Sequence, residues 1–187
     1  NPETIGRAPI GQKVLISVFE SISGRTAGFT TVDYAATRDR TNFFFTAMMF
    51  VGGAPGSVAG GIKVTTFAIL VLGIVATIRD KAHVTVFRRE ITQLTIRRAM
   101  AMVGIACVLI FIITTVLIST QSSLNSLDLY FEAVSAFGTV GLSAGITPEI
   151  SDVGHVVLIV AMFVGRIGPL LVGLSMIASS ERPNYRY

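Results

Sequence analysis

The sequence predicts an all-α membrane protein made of two parallel copies of one unit, a short helix, a glycine-rich re-entrant loop and a long helix. The mean hydropathy is +0.70 and only 14% of residues are charged, which is unusual for a soluble domain. Apolar runs at 92–119 and 155–180 are long enough to cross a bilayer. Two sequence blocks also recur at one spacing. The alternative is a soluble bundle with buried helices.

The repeat is visible when the chain is aligned with itself. The segment VFESISGRTAGFTT from Val18 aligns with YFEAVSAFGTVGLSA from Tyr130, and MFVGG from Met49 aligns with MFVGR from Met162. The offset is 112 and then 113 residues, and two blocks at one spacing indicate duplication. We assign the units to residues 1–91 and 92–187, and the first unit lacks the long leading helix of the second.

Each unit contains a short amphipathic helix, expected at 13–23 and at 127–136. Helices of this length span ~15–18 Å, about half of the hydrocarbon core. A stretch rich in Gly and Thr follows each short helix, and a long apolar helix comes next. The second unit also has the spanning helix at 92–119 before its short helix.

The distribution of basic residues predicts the orientation. The connection at 121–128 has no Lys or Arg, which places it outside the cell, and the tail with Arg182 and Arg186 falls inside. Each short helix and its loop then enter and leave from the outside, so the two units are parallel. Binding of anionic lipid or a cytosolic protein is an alternative reason for the charges, and nucleic acid is not expected as a partner. The basic connection assigned to the cytoplasm contains Arg79, Lys81, Arg88, Arg89, Arg97 and Arg98.

The glycine-rich loops predict a cation filter. Irregular backbone at membrane depth persists where it is buried or lines a wet cavity, and its free carbonyls can replace the water around a cation. The loop Thr139-Val140-Gly141-Leu142 matches the TVG of potassium-channel filters, and Thr26-Ala27-Gly28-Phe29 keeps its Thr and Gly. An ordinary extracellular turn is the alternative, but it does not account for the repetition. The expected potassium ligands are the backbone carbonyls of Thr26, Ala27, Gly28, Thr139, Val140 and Gly141.

Four motifs in order carry a resemblance to a known family: GRTAGFTT, MFVGGAPGSVAGGIK, FGTVGLSAG and FVGRIGP. Together they resemble the Trk/Ktr/HKT superfamily of potassium transport proteins, most closely the bacterial Ktr membrane subunit. The resemblance implies a multi-pass protein of the bacterial inner membrane with four pore repeats in one polypeptide, of which this chain matches the last two. It also implies that an N-terminal remainder completes the filter, and that the subunit forms a homodimer on a cytosolic nucleotide-binding ring.

The apolar segment at 42–79 is 38 residues long, about 57 Å if helical throughout, so it must break. The stretch GGAPGSVAGG favours a loop because Pro55 removes a backbone donor and glycine weakens helices. In the resembled family the matching segment is an intramembrane gating loop. Close helix packing by its glycines is the alternative. The candidate gating residues in this stretch are Gly52, Gly53, Pro55, Gly56, Gly60, Gly61 and Lys63. Lys63 either pairs with a loop carbonyl or reaches cytoplasmic water.

Three further charged residues lie in apolar surroundings. Arg166 interrupts a long apolar helix, and the resemblance implies that it lies near the pore below the filter, where it raises the barrier to cations or holds the gating loop. Snorkelling of Arg166 to an interface is the alternative. Glu20 and Glu132, in the short helices, either add negative potential near the entrance or make polar packing contacts to the surrounding helices.

No catalytic triad, metal-ligand cluster or nucleotide motif is found, and Cys107 is the single cysteine. The sequence therefore predicts a transport protein and not an enzyme, with potassium ion as its ligand and membrane lipids around it. The expected function is potassium uptake through a channel-like pore. The alternatives are an ion-coupled potassium symporter and a membrane scaffold without transport activity.

Overall fold

The computed structural model describes residues 4–57, 59–80, 84–86 and 89–180, without the side chains of residues 86, 89 and 168–180. The basic residues Lys81, Arg88, Arg182 and Arg186, and the side chain of Arg89, therefore lie outside the described part. The helices occur in the predicted order, and a short strand pair lies at the end of the first unit.

The first unit contains three helices and one 3-10 turn. Helix α1 (Ile10–Ser23) follows Pro9 and ends at Gly24, and the 3-10 turn Tyr34–Ala36 precedes helix α2 (Asp39–Phe50). Helix α3 (Val64–Ile78) begins after an irregular segment at 51–63. The predicted break in the long apolar segment is therefore confirmed, and it contains Pro55 and the predicted glycines.

The second unit starts with helix α4 (Gln93–Thr120), which is 28 residues long. Helix α5 (Ser126–Gly138) has 13 residues, or about 20 Å, and its N-terminus is capped by the Asn125 side chain. The 3-10 turn Thr147–Glu149 leads to helix α6 (Asp152–Ser180). Within the described residues, α4 is the one helix that is long and apolar enough to cross a membrane.

A two-stranded antiparallel ribbon lies in the basic connection, and the sequence analysis did not predict it. Strand β1 (Val84–Val86) pairs with strand β2 (Arg89–Ile91), with Val84 opposite Ile91. Val84 packs with Ala76 of α3 and Ile96 of α4 in a small apolar cluster. Short strands of this kind are held mainly by such tertiary contacts, which a local sequence pattern does not reveal.

Helix α5 lies at the centre of the packing, against α2, α4 and α6. All but four of its residues are buried, and these buried residues include the polar Glu132 and Ser135. Its counterpart α1 is different, because only Glu20 and Ser23 are buried there. The apolar side chains that α1 leaves exposed include Ile10, Val14, Leu15, Val18 and Ile22.

Candidate ion-binding site

The two glycine-rich segments lie side by side, although they are far apart in the sequence. A methyl group added to Gly28 would lie 2.4 Å from the carbonyl oxygen of Val140. A methyl group added to Gly141 would lie 3.7 Å from the Cα of Gly28. The backbones of the two segments therefore touch at their central glycines, and Gly28 has no room for a side chain.

Both segments have left-handed backbone at alternate residues. The φ angles are 69° at Thr26 and 77° at Gly28, and 52° at Thr139 and 91° at Gly141. Positive φ is uncommon for threonine, and such a conformation persists only where the surrounding structure enforces it. The two segments thus have matching conformations.

One serine of each short helix binds the carbonyl that follows the central glycine. The hydroxyl of Ser135 donates a 2.6 Å hydrogen bond to the carbonyl oxygen of Leu142. The hydroxyl of Ser23 donates in the same way to the carbonyl oxygen of Phe29. These two carbonyls are therefore hydrogen-bonded to the short helices. The preceding carbonyls, of residues 26–28 and 139–141, are the ones expected to bind an ion.

Glu20 holds the chain just beyond the first glycine-rich segment. Its carboxylate accepts hydrogen bonds from the Thr31 amide at 2.7 Å, the Thr31 hydroxyl at 2.9 Å and the Tyr34 hydroxyl at 2.8 Å. The Thr30 hydroxyl lies 3.2 Å from both carboxylate oxygens. Glu20 is buried, with 7% of its surface exposed.

Glu132 holds the chain just beyond the second glycine-rich segment. Its Oε1 accepts from the Ser143 hydroxyl, from the Ala144 amide at 3.2 Å and from the Thr147 hydroxyl at 3.1 Å. Its exposed fraction is 6%. Both glutamates therefore make polar contacts, but not with the surrounding helices that the sequence analysis named, and a role in the potential near the entrance stays a prediction. These contacts are made with the loop of the same unit.

Tyr34 links the first loop to the core. Its ring packs on Phe45 and on Phe131, with centroid distances of 5.1 and 5.4 Å. Burial raises the pKa of Tyr34 above its ordinary value, and the hydrogen bond to Glu20 raises it further. The hydroxyl therefore keeps its proton and remains a donor to Glu20.

The described residues of the segment at 51–63, which exclude residue 58, form a loop with a closed base and an exposed tip. At the base, the Gly52 amide donates to the Ile62 carbonyl at 2.8 Å, and the Val64 amide donates to the Gly53 carbonyl at 3.3 Å. At the tip, Pro55 and Gly56 occupy the central positions of a turn, with Gly56 at φ 83°. A methyl group on Gly56 would meet nothing within 4 Å.

This loop contacts the second glycine-rich segment directly. The Gly60 amide donates to the Thr139 hydroxyl oxygen at 2.9 Å, and the next amide, of Gly61, donates to the Gly165 carbonyl at 3.3 Å. A methyl group on Gly60 would lie 2.6 Å from the Thr139 hydroxyl oxygen. A methyl group on Gly52 would lie 2.1 Å from the Gly60 carbonyl oxygen. These glycines therefore allow the loop to approach both itself and Thr139.

Lys63 pairs with carbonyls of the loop, one of the two alternatives left open by the sequence. Its ammonium group donates to the Ser57 carbonyl at 2.9 Å and to the Ala59 carbonyl at 2.6 Å. These bonds draw the tip of the loop toward its base. Among the described residues, Lys63 and the Gly165 carbonyl hold the loop, and a contact between the Arg166 side chain and the loop stays a prediction.

Arg166 lies at the edge of a groove of about 620 Å³ beside the second glycine-rich segment. Its side chain is exposed, and its positive charge acts on Lys63. The lining residues of the groove include Glu132, Ser135, Thr139, Gly141, Met162 and Arg166.

Sequence reasoning assigned no role to several residues of the site. Ser23 and Ser135 were recognised as repeat positions, and Thr31 and Thr147 were not singled out. The available signal was the spacing, because Glu20 and Ser23 recur together as Glu132 and Ser135. Polar residues that recur in an apolar short helix indicate a specific contact.

Comparisons with known proteins agree with the motifs. The family model described as TrkH, cation transport protein, matches residues 1–185. The Ktr system potassium uptake proteins B and D of Bacillus subtilis are 39% and 40% identical to the chain, over 100% and 93% of its length. The chain corresponds to 42% and 38% of those two relatives, so it spans about two fifths of their length.

Two further comparisons concern cation type and fold. The potassium/sodium uptake protein NtpJ of Enterococcus hirae is 31% identical over 100% of the chain, which corresponds to 43% of that relative. The crystal structure of the potassium transporter TrkH from Vibrio parahaemolyticus superposes with a TM-score of 0.73 at 20% identity, covering 97% of this chain and 40% of that one. That likeness shows the fold. The chain belongs to the TrkH family of membrane cation transport proteins.

Proposed function

We propose that this chain forms half of a channel-like potassium pathway, with the segments at 26–29 and 139–142 as two parts of one selectivity filter. The observation that carries the proposal is the contact between Gly28 and Gly141, because a filter requires its segments to meet around one axis. A dehydrated potassium ion needs several oxygens at once, and no single segment supplies them. Paired segments with matching left-handed positions are suited to that task.

Helix dipoles add to the proposed site. Helix α5 ends where its segment begins, with Thr139 as the C-cap, and the C-cap of α1 is Gly24, two residues before Thr26. The C-terminus of a helix carries about half a negative charge, which favours a cation beyond it. In this proposal both short helices enter the membrane from the outside and point these ends toward the ion.

The loop at 51–63 acts as a gate in this proposal. Support comes from its two hydrogen bonds, to the Thr139 hydroxyl and the Gly165 carbonyl, which hold it against the second filter segment. A loop that contacts the filter through backbone amides places positive ends of dipoles beside the ion path. Arg166 and Lys63 add full positive charges nearby. Both features oppose cation passage until the loop moves.

The remaining pathway is proposed to come from outside this chain. The relatives are more than twice as long, and the apolar face of α1 is uncovered here. We expect an N-terminal part of the same polypeptide to pack on that face and to supply the other half of the filter. We also expect a multi-pass subunit of the bacterial inner membrane that dimerises, sits on a cytosolic nucleotide-binding ring and contacts lipid.

A second candidate function is an ion-coupled potassium symporter. It is favoured by the relative from Enterococcus hirae, whose name includes both potassium and sodium. A symporter moves its two ions in a fixed ratio, whereas a channel-like pore does not couple them. Flux of potassium against its gradient, driven by sodium, would reverse our choice.

The test is rubidium uptake into liposomes that contain the full-length polypeptide carrying this chain. We expect uptake that follows the rubidium gradient, is inhibited by potassium and needs no sodium. A protein that is folded and correctly inserted but transports neither rubidium nor thallium would instead be a scaffold. Sodium-dependent uphill uptake would identify the symporter.

A further inference from the structure

The buried faces of α1 and α5 have the same polar construction. Glu20 and Ser23 are three residues apart on α1, as are Glu132 and Ser135 on α5, so each pair lies on one face of its helix. In each unit the serine binds the carbonyl just after the filter glycine. The glutamate binds the chain one to two residues further on.

We infer that Glu20 and Glu132 are positioning residues that fix the outer end of each filter segment and thereby set the preference for potassium over sodium. This inference rests on the proposed function. The glutamates do not touch the ion in this account: both carboxylate oxygens of Glu20 and the Oε1 of Glu132 accept hydrogen bonds from donors of the loop. They act through the position of the chain that follows each filter glycine.

The chemistry of the contacts favours this role. A carboxylate only accepts hydrogen bonds, and each glutamate is met by one backbone amide and at least two hydroxyls. Bonds to a charged acceptor are shorter and about twice as strong as neutral ones. A binding constellation works only when it is held within ~0.5 Å of its best geometry. Two buried carboxylates at matching positions provide such support on both segments.

The competing explanation is that the glutamates attract cations by their charge. Glu149 offers a matched control, because it is an exposed acid in the 3-10 turn that follows the second filter segment. Glu149→Gln removes one negative charge from the same loop without touching the Glu132 contacts. Tyr34→Phe offers the opposite control, because it keeps the charge of Glu20 and the ring packing and removes one donor.

The experiment compares these variants in the full-length polypeptide, reconstituted in liposomes. Rubidium and sodium uptake are measured for wild type, Glu20→Gln, Glu132→Gln, Tyr34→Phe and Glu149→Gln. We expect the rubidium-over-sodium ratio to fall about tenfold in each glutamine variant of Glu20 and Glu132, because the loss of the charge weakens at least three hydrogen bonds to the loop at once. In Tyr34→Phe the rubidium-over-sodium ratio should fall by about threefold, because one of the hydrogen bonds to Glu20 is lost. Glu149→Gln should keep the wild-type ratio.

The results distinguish failure of the proposed function from failure of this inference. If wild type shows no potassium-selective uptake, the proposed function fails. If wild type is selective and the Glu20, Glu132 and Tyr34 variants keep its ratio, this inference is wrong. If Glu149→Gln lowers uptake as much as Glu132→Gln, with no change in ratio for either, the glutamates act by charge. Should the Glu20 variant be recovered only as aggregate, Tyr34→Phe still tests the inference in the first unit, because it removes one donor to Glu20 and keeps the ring packing.

Discussion

The backbone amide of Gly60 donates a 2.9 Å hydrogen bond to the hydroxyl oxygen of Thr139, which lies 79 residues further along the chain. Thr139 belongs to the second filter segment, and Gly60 belongs to the loop at 51–63. The next residue, Gly61, donates to the Gly165 carbonyl of α6. Two consecutive amides therefore tie the loop to the filter and to the following helix, which couples the proposed gate to the proposed filter.

The first prediction concerns the Thr139 hydroxyl. Thr139→Val keeps the shape of the side chain and removes the acceptor, so the buried Gly60 amide loses its partner at a cost of about 1–3 kcal/mol in the closed arrangement. We expect rubidium uptake in liposomes to rise by about tenfold, since about 1.4 kcal/mol shifts an equilibrium tenfold. Thr139→Ser keeps the hydroxyl and should behave like wild type. Equal uptake in all three proteins would contradict the coupling.

The second prediction concerns space at Gly60. Gly60→Ala places a methyl group 2.6 and 2.7 Å from the side-chain atoms of Thr139, closer than real contacts allow. We expect the loop to be displaced and rubidium uptake to increase, as it should when residues 56–60 are deleted. Gly104→Ala in α4 meets nothing within 4 Å and serves as the control. Unchanged uptake after both loop changes would remove the gate from the account.

The third prediction concerns the contact between the two segments. Gly28→Ala combines a φ of 77° with a methyl group 2.4 Å from the Val140 carbonyl oxygen. Gly141→Ala has a φ of 91°, but its nearest neighbour would be 3.7 Å away. We therefore expect Gly28→Ala to lower the rubidium-over-sodium ratio more strongly than Gly141→Ala. The opposite order, or no loss in either, would count against a shared filter.

The fourth prediction concerns the positive charge of Arg166. Its guanidinium lies at the edge of the groove beside Thr139 and Gly141 and repels Lys63. Arg166→Ala should speed rubidium uptake because a barrier to cations is removed, and the effect should be larger at low salt, where screening is weak. Arg166→Lys keeps the charge and should stay close to wild type. Wild-type uptake by the alanine variant at every salt concentration would contradict the assigned role.

Much of the architecture could be predicted from the sequence because it depends on local or periodic signals. The length of the apolar run at 92–119 predicted the spanning helix α4. The alignment of the chain with itself predicted both short helices. Pro55 and the surrounding glycines gave the break between α2 and α3. The predicted short helices begin within three residues of their observed starts.

The contacts within the site could not be predicted in the same way. The bond from Gly60 to Thr139 joins residues 79 positions apart, and no local pattern indicates it. The roles of Glu20 and Glu132 stayed open because a glutamate in a short helix can either make polar packing contacts or add negative potential near the entrance of the pore. The ribbon of β1 and β2 was missed because three-residue strands depend on packing against α3 and α4.

The central claim is that residues 26–28 and 139–141 present carbonyl oxygens to one shared cation. It is tested most directly by anomalous diffraction from crystals of the full-length protein soaked in thallium or rubidium. The account predicts ion peaks on a common axis at the level of Gly28 and Gly141, with these backbone oxygens as ligands. Peaks only at other places, or carbonyls of the two segments turned away from any common ion, would contradict it.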